Sequence, residues 1–368
     1  MAVSLDRRTV ESPAATEIYI SAAPGESAPP QDQAQEIFSG IRDILRSKKA
    51  SILQERVFAT QAAMEGLSLV RSQAYGDLDD GVAPSFLACK EGAVGPIAGV
   101  QVHAVSSNSR PEVINLQGNL CGRILRVPGR AYLTLSCISD QQYTQATEQA
   151  QAMMEKAEAA LRQFGADFLS VPRTWMWLKD ILSWYDRFNH VRTEYFTKWG
   201  LIGAGTRQSM PASTGIGLGP ADGGDCAMDL MAVLEPIDCT HYLQAAGKQH
   251  CALEYGSAFS RAARSIMPAG ETVFVSGTAS INADGATTHI GDALGQINTT
   301  IENVCAVLRD MHCSDRDVVQ AVAYCKTTEV EKVFNASKGV LAWPWITVIC
   351  DICRPELLFE IEATAMPR

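Results

Sequence analysis

TVFVSGTASI, residues Thr272–Ile281, opens the stretch whose reading decides the fold. It reads as a strand, followed by a helical segment through Gln296, Asn303 and Leu308 and a second strand, VAYCK, ending at Lys326. The same order occurs earlier: AYLTLSCIS from Ala131, a helical segment through Gln149, Met153, Ala160 and Leu161, then WMWLK ending at Lys179. Gln149 to Leu161 and Gln296 to Leu308 each span 12 residues, and Leu161 to Trp177 and Leu308 to Tyr324 each span 16. Each copy also ends alike. MPASTGIGLG, a turn at Pro220–Gly224 and CAMDLMAV correspond to AWPWITVICDI, a turn at Arg354–Pro355 and LLFEIEATA. A third ending, APSFLACK, a turn near Gly95–Pro96 and IAGVQVHAV, lies upstream. Lining up Ala104, Ala232 and Ala363 puts Gln101, Asp229 and Glu360 at one structural position.

A repeat of this size predicts three similar small α+β units, each a β-sheet with helices on one face, closing in a pseudo-threefold arrangement as a fused trimer would. The expected division is a flexible N-terminal arm over 1–33, where SAAPGESAPPQDQ is rich in Ala, Pro and Ser, and a unit degenerate at its front over 34–120. A central unit follows over 121–245 and a C-terminal unit over 246–368. Residues 34–50 open the first unit as an amphipathic helix, with Ile37, Ile41, Ile44 and Leu45 at helical spacing.

The chain has 368 residues, with 31 Lys+Arg against 41 Asp+Glu, so its formal net charge is −10. That sign disfavours a nucleic-acid partner. There is no run of about 18 apolar residues to span a membrane. Asp6, Glu11 and Glu17 argue against a transit peptide, so a cytoplasmic protein is expected. Eleven cysteines, mostly inside apolar runs, read as buried thiols in a reducing compartment. The one close pair, Cys350 and Cys353, has no second pair to complete a zinc site, and it lies among strand residues rather than opening a helix as a redox motif would. GIGLG (Gly215–Gly219) runs into a Pro-Gly turn rather than a helix, which excludes a dinucleotide fingerprint. His289 lies in a loop before a helix capped by Asp292 or a neighbour. No cofactor and no metal are expected.

VSGTASI (Val275–Ile281), His289-Ile-Gly-Asp292, Gln296, Asn303, Tyr324 and the closing FEIEATA resemble the small trimeric reactive-intermediate deaminase (YjgF-like) family. The central unit resembles it through GADFLSVPRTWMWLKD, WYDRFNHVRTEYF and PAST. Three such units in tandem, with PASTGIG, YGSAFSRA (Tyr255–Ala262) and LLFEIE together, resemble a chorismatase over nearly the whole chain after the arm.

The resemblance implies hydrolysis of the enol ether of chorismate, with release of pyruvate, at a site between adjacent units. Such chemistry needs a carboxylic acid that is still protonated near neutral pH, which burial and nearby negative charge provide. The resemblance selects Glu360 as that acid. On the alignment above the other two units offer Gln101 and Asp229, so one working site between the central and last units is expected. Substrate carboxylates call for arginine forks. Arg261 comes first and Arg207 second, with Arg264 as a surface residue. Tyr255, Ser260, Thr214 and the Gly215 backbone are the further candidates for substrate contacts. Trp343, Trp345 and Phe359 are expected to form an apolar wall. Cys353, seven residues before Glu360, resembles the 3-hydroxybenzoate-forming subtype, where it would assist loss of the ring hydroxyl; a buried structural thiol is the alternative. The other outcomes on this scaffold are a dihydroxycyclohexadiene carboxylate product, a 4-hydroxybenzoate side product, an imine deaminase and a non-catalytic metabolite-binding protein. AWPWIT (Ala342–Thr347) lacks the arginine of the deaminase site, which speaks against imine chemistry. Fusion of three units predicts a monomer.

Overall fold

The computed structural model describes residues 3–203 and 208–367. Within them the first unit comprises β1 (Val3–Glu11), β2 (Ala15–Pro24), α1 (Pro30–Lys48), β3 (Ser51–Ala59), α2 (Gln61–Tyr75), β4 (Ser85–Ala88) and β5 (Ile97–Ser107). The second comprises β6 (Glu112–Leu116), β7 (Asn119–Val127), β8 (Arg130–Ile138), α3 (Ala146–Arg162), β9 (Arg173–Leu178), α4 (Tyr185–Lys198), β10 (Ala212–Ile216), the two-residue β11 (Gly219–Pro220) and β12 (Cys226–Glu235). The third comprises β13 (His241–Leu243), β14 (Ala262–Met267), β15 (Gly270–Ala279), α5 (Ala293–Asp310), β16 (Val318–Cys325), α6 (Thr328–Ser337), β17 (Trp345–Ile349) and β18 (Phe359–Ala365).

These strands form three six-stranded mixed sheets, ordered β1-β2-β5-β3-β4-β11, β6-β7-β8-β12-β9-β10 and β13-β14-β15-β18-β16-β17. The α+β class read from the repeat is therefore the observed one. The strands flanking each turn do not pair as a hairpin. β9 lies between β10 and β12, because α4 carries the chain across to make β10 parallel to β9. β11 leaves its own unit and pairs with β4 of the first.

Period-2 alternation explains the layers. In β18, Phe359, Ile361, Ala363 and Ala365 pack under α5 and α6, while Glu360, Glu362 and Thr364 point the other way and are also buried. Helix α5 lays Ile297, Val304, Val307 and Leu308 on this sheet, each contributing about 1.5–3 kcal/mol when fully buried. Asp292 caps α5 by accepting from the Gly295 amide at 3.0 Å, as its sequence context predicts. Each unit has a helix-on-sheet core of this kind. A further core joins the inner faces of all three sheets, with Leu53 and Phe58, Trp175 and Met231, and Phe274 and Tyr324 drawn from successive units. Sheets inside and helices outside give the pseudo-threefold arrangement.

Residues 3–24 are not a flexible arm. They form the β1–β2 hairpin, and β2 pairs with β5 along the sheet. Ile18, Ile20 and Ala22 bury beneath α1, and Glu17, Tyr19 and Ser21 bury on the inner face. The first unit therefore has a front end. Its Pro-rich stretch supplies the loop before α1, whose first turn holds Pro30 where a missing amide hydrogen costs nothing.

Backbone pairing also corrects the alignment of the last strands. The amides of Thr60, Lys179 and Lys326 donate to Pro96, Asp225 and Leu358, which fixes three equivalent points. From there Gln101 pairs with Arg56, Asp229 with Trp175 and Glu362 with Val322, at matching places in the three sheets. Glu360 corresponds instead to Gly99 and Ala227. The slip of two residues keeps every side chain on its face, so a sequence pattern of period 2 cannot detect it.

Candidate functional site

Between the second and third units lies a cavity lined by Tyr185 and Arg192 of α4, Ser213 and Gly215 of β10, and Gly277, Ala279 and Glu360 of the third sheet. Tyr255, Ser257, Phe259 and Arg261 close it on one side and Cys353, Arg354 and Leu357 on another. Three bonds bring the units together here. The Ser260 amide donates to Pro211 O at 3.1 Å, the Ser213 amide to Ser276 Oγ at 2.8 Å, and the Gly277 amide to Thr214 Oγ1 at 3.1 Å.

Glu360 is 4% exposed. Burial raises its carboxyl above the ordinary range, the charge of Glu362 raises it further, and Arg173 pulls it partly back, to about 8. The group is thus a neutral acid at pH 7. It fits because its neighbour is a glycine: a Cβ on Gly277 would lie 2.1 Å from Glu360 Oε1. In the second unit the corresponding pair is Cys137 and Ala227, and neither side chain is a carboxyl. Among the three inter-unit positions equivalent to Glu360, one carries an acid.

Arg192 and Arg261 are 1% and 2% exposed side chains of two different units. Arg192 donates to Asn189 Oδ1 at 2.6 Å, and its Nε is buried without a partner. Arg261 donates to His250 O through Nε and Nη2, at 3.1 and 2.7 Å, and to Tyr255 Oη at 2.7 Å. Arg354 donates to Gly285 O at 2.6 Å and lies over the Tyr255 ring. Among the described residues no carboxylate pairs with any of these three guanidiniums. A cavity in an acidic protein therefore presents three uncompensated cations beside one neutral acid, an arrangement suited to a small polyanion.

Of the residues singled out from sequence, the fold brings Glu360, Cys353, Arg261, Tyr255 and Gly215 together in this cavity. Ser260 is not in it. Its hydroxyl donates to Met210 O at 2.5 Å and accepts from Gln244 Nε2 at 2.8 Å, because the chain turns between Phe259 and Arg261 so that it faces the neighbouring unit. Thr214 lies behind the wall and accepts from Arg173 Nη2 at 2.6 Å as well as from Gly277. Arg207 lies outside the described residues. Arg264 pairs with Glu271 at the surface. Trp343, Trp345 and Phe359 do not wall the cavity: they pack around Phe334 on the helix side of the sheet, opposite to Glu360. The apolar wall is Tyr185, Phe259, Ile281 and Leu357. Arg192 and Tyr185 lie within WYDRFNHVRTEYF, a stretch that carries the resemblance, but neither is singled out there as a site residue, because both read as positions of an amphipathic helix. Burial raises the Cys353 thiol, and the nearby Glu360 adds to this, to about 12, so it is a thiol rather than a thiolate.

Residues 252–367 match the family described as endoribonuclease L-PSP. No curated protein matches the chain by sequence. Among solved structures, a chorismatase is similar over 98% of this chain and 99% of its own, with a TM-score of 0.62 and 19% identity, and it shares the fold. Shorter proteins align with about a third of the chain. Yeast Mmf1 covers 35% of it with 99% of its own length, at 15% identity and a TM-score of 0.29. NMB1025 of Neisseria meningitidis, a YjgF family member, covers 35% with 95% of its own, at 20% identity and a TM-score of 0.26.

Proposed function

We propose that this protein is a chorismatase that cleaves the enol ether of chorismate, releasing pyruvate and 3-hydroxybenzoate. The observation that carries the reading is the pairing of a buried, protonated Glu360 with three guanidiniums that lack carboxylate partners. Chorismate brings two carboxylates, a cyclohexadiene ring and a vinyl ether, and each has a counterpart in the cavity. The full-length likeness in fold to a solved chorismatase supports it.

In this mechanism Glu360 gives its proton to the enolpyruvyl methylene carbon. The double bond's electrons form the new C–H bond, leaving an oxocarbenium ion and a carboxylate. Water adds to the cation, and the hemiketal collapses to pyruvate and the ring alcohol. For the aromatic product the ring then loses a hydroxyl as water and a ring proton, so one water enters and one leaves. Cys353 is the weak acid assigned to that departing hydroxyl, and Arg192, Arg261 and Arg354 hold the carboxylates. Three fused units close the arrangement within one chain, and we propose a monomer acting in the cytoplasm.

The direct test mixes purified protein with chorismate, follows pyruvate by a coupled assay and identifies the ring product by chromatography. Absence of pyruvate would overturn the proposal. Arg192→Met and Arg261→Met should each lower kcat/KM by about ten- to a hundredfold, mainly through KM, as expected for losing a charge-assisted bond. Cys353→Ala should keep pyruvate release but divert the ring product to the dihydroxycyclohexadiene acid. An unchanged product would reduce Cys353 to a packing residue.

A further inference from the structure

Behind the cavity wall, at the junction of the three units, one carboxylate holds two guanidiniums. Glu362 accepts from Arg56 Nη1 of the first unit at 3.0 Å, and from Arg173 Nη2 and Trp175 Nε1 of the second at 2.8 and 3.1 Å. The side chains of Arg56, Arg173 and Glu362 are 5%, 2% and 5% exposed, and both guanidiniums stack on the Trp175 ring. None of them lines the cavity. Glu362 nevertheless shares a strand face with Glu360, two residues or about 7 Å away. Arg173 also donates to Thr214, which accepts from Gly277, the residue against which Glu360 rests.

From this geometry we infer that Glu362 and Arg173 are positioning residues that set, with opposite signs, how tightly Glu360 holds its proton. The inference rests on the proposed role of Glu360. Each charge acts across a buried interior, where Coulomb interactions are stronger than in water. The anion of Glu362 opposes a second anion at Glu360, and the cation of Arg173 favours it, which agrees with the directions in which the two act on Glu360. The other groups around Glu360 are Tyr185 and Arg192 of α4, Tyr324 of β16, Cys350, Cys353 and Arg354 before β18, and Tyr255 and Arg261 before β14. They stay constant across the variants below.

The cluster is not needed to close the pseudo-threefold. At the equivalent positions Gln101 donates to Ala321 O, and Asp229 accepts from Ser85 and the Cys137 amide, so neither forms an ion pair with an arginine. The charged version stands only beside the unit that bears the acid.

The experiment titrates the Glu360 carboxyl by infrared spectroscopy in the substrate-free protein, the band being identified by its loss in Glu360→Gln. Glu362→Gln should move its midpoint to lower pH and Arg173→Met to higher pH, each by about one unit or more. The upper limb of the pH profile for pyruvate release should move with it. A structural role would lower activity in both variants without opposite displacements. Shifts in the same direction, or no shift in folded protein, would overturn the inference. Either variant decides on its own. Should both fail to fold, Arg56→Met removes the surplus cation and leaves a one-to-one Glu362–Arg173 pair; its midpoint should rise, and a fall or no change would count against us. The titration needs no turnover, so it is separate from the outcome of the chorismate assay.

Discussion

Glu360→Gln should lower kcat for pyruvate release from chorismate by about 10²–10⁴-fold, the usual contribution of a general acid, with little change in KM. Glutamine keeps the shape and burial of the side chain but has no acidic proton, while the guanidiniums proposed to hold the substrate are untouched. In the proposed mechanism the working form is the protonated one, so kcat of the unaltered protein should fall as pH rises through about 8. The same shift makes a prediction about stability. Folded Glu360 keeps its proton at pH values where an unfolded glutamate has lost it, so folding takes up a proton between about 4.5 and about 8, and stability declines across that window as pH rises. Glu360→Gln lacks this linkage and should melt no lower than the parent at pH 8 or above. Loss of activity without loss of thermal stability separates a missing acid from a damaged fold, and full activity in this variant would remove Glu360 from the mechanism.

Gly277→Ala should produce a comparable failure by geometry alone. The added methyl would sit 2.1 Å from Glu360 Oε1 and 3.2 Å from Thr214 Cγ2. The carboxyl is the end of a flexible side chain and can swing aside, so the fold should survive. The acid would be displaced by an ångström or more, and misplacement on that scale costs about a hundredfold in rate. Pyruvate assays paired with thermal melts would check this: a folded Gly277→Ala protein with near-normal kcat would show that the carboxyl does not act from its observed position.

Much of the architecture was legible in the chain. Matched spacings from Gln149 to Lys179 and from Gln296 to Lys326 come from strand and helix lengths, which local periodicity and loop closure determine. Gln149 and Gln296 do the same work in both copies: their side-chain oxygens accept from the Asp225 and Leu358 amides, anchoring the start of each last strand. Glu360 and Cys353, which both line the cavity, are legible as candidates because they belong to a short segment whose residue types resemble a known pattern. The β1–β2 hairpin is hidden in composition, because the Ala, Pro and Ser of the surrounding stretch obscure the alternation from Thr16 to Ser21.

By itself, then, the sequence determined three α+β units, their order, and an acid on the last strand of the third, since each is written in local spacing and residue type. Tertiary structure alone decided which residues meet. Whether a strand residue faces a cavity or its neighbour's backbone depends on the packing of separate units, which is why Ser260 and Thr214 became braces and Arg192, from a helix of the other unit, became a wall. It also decided that Glu362, not Glu360, is the counterpart of Gln101 and Asp229. Pairing register is fixed by hydrogen bonds between strands distant in sequence, and a slip of two leaves the pattern of faces unchanged.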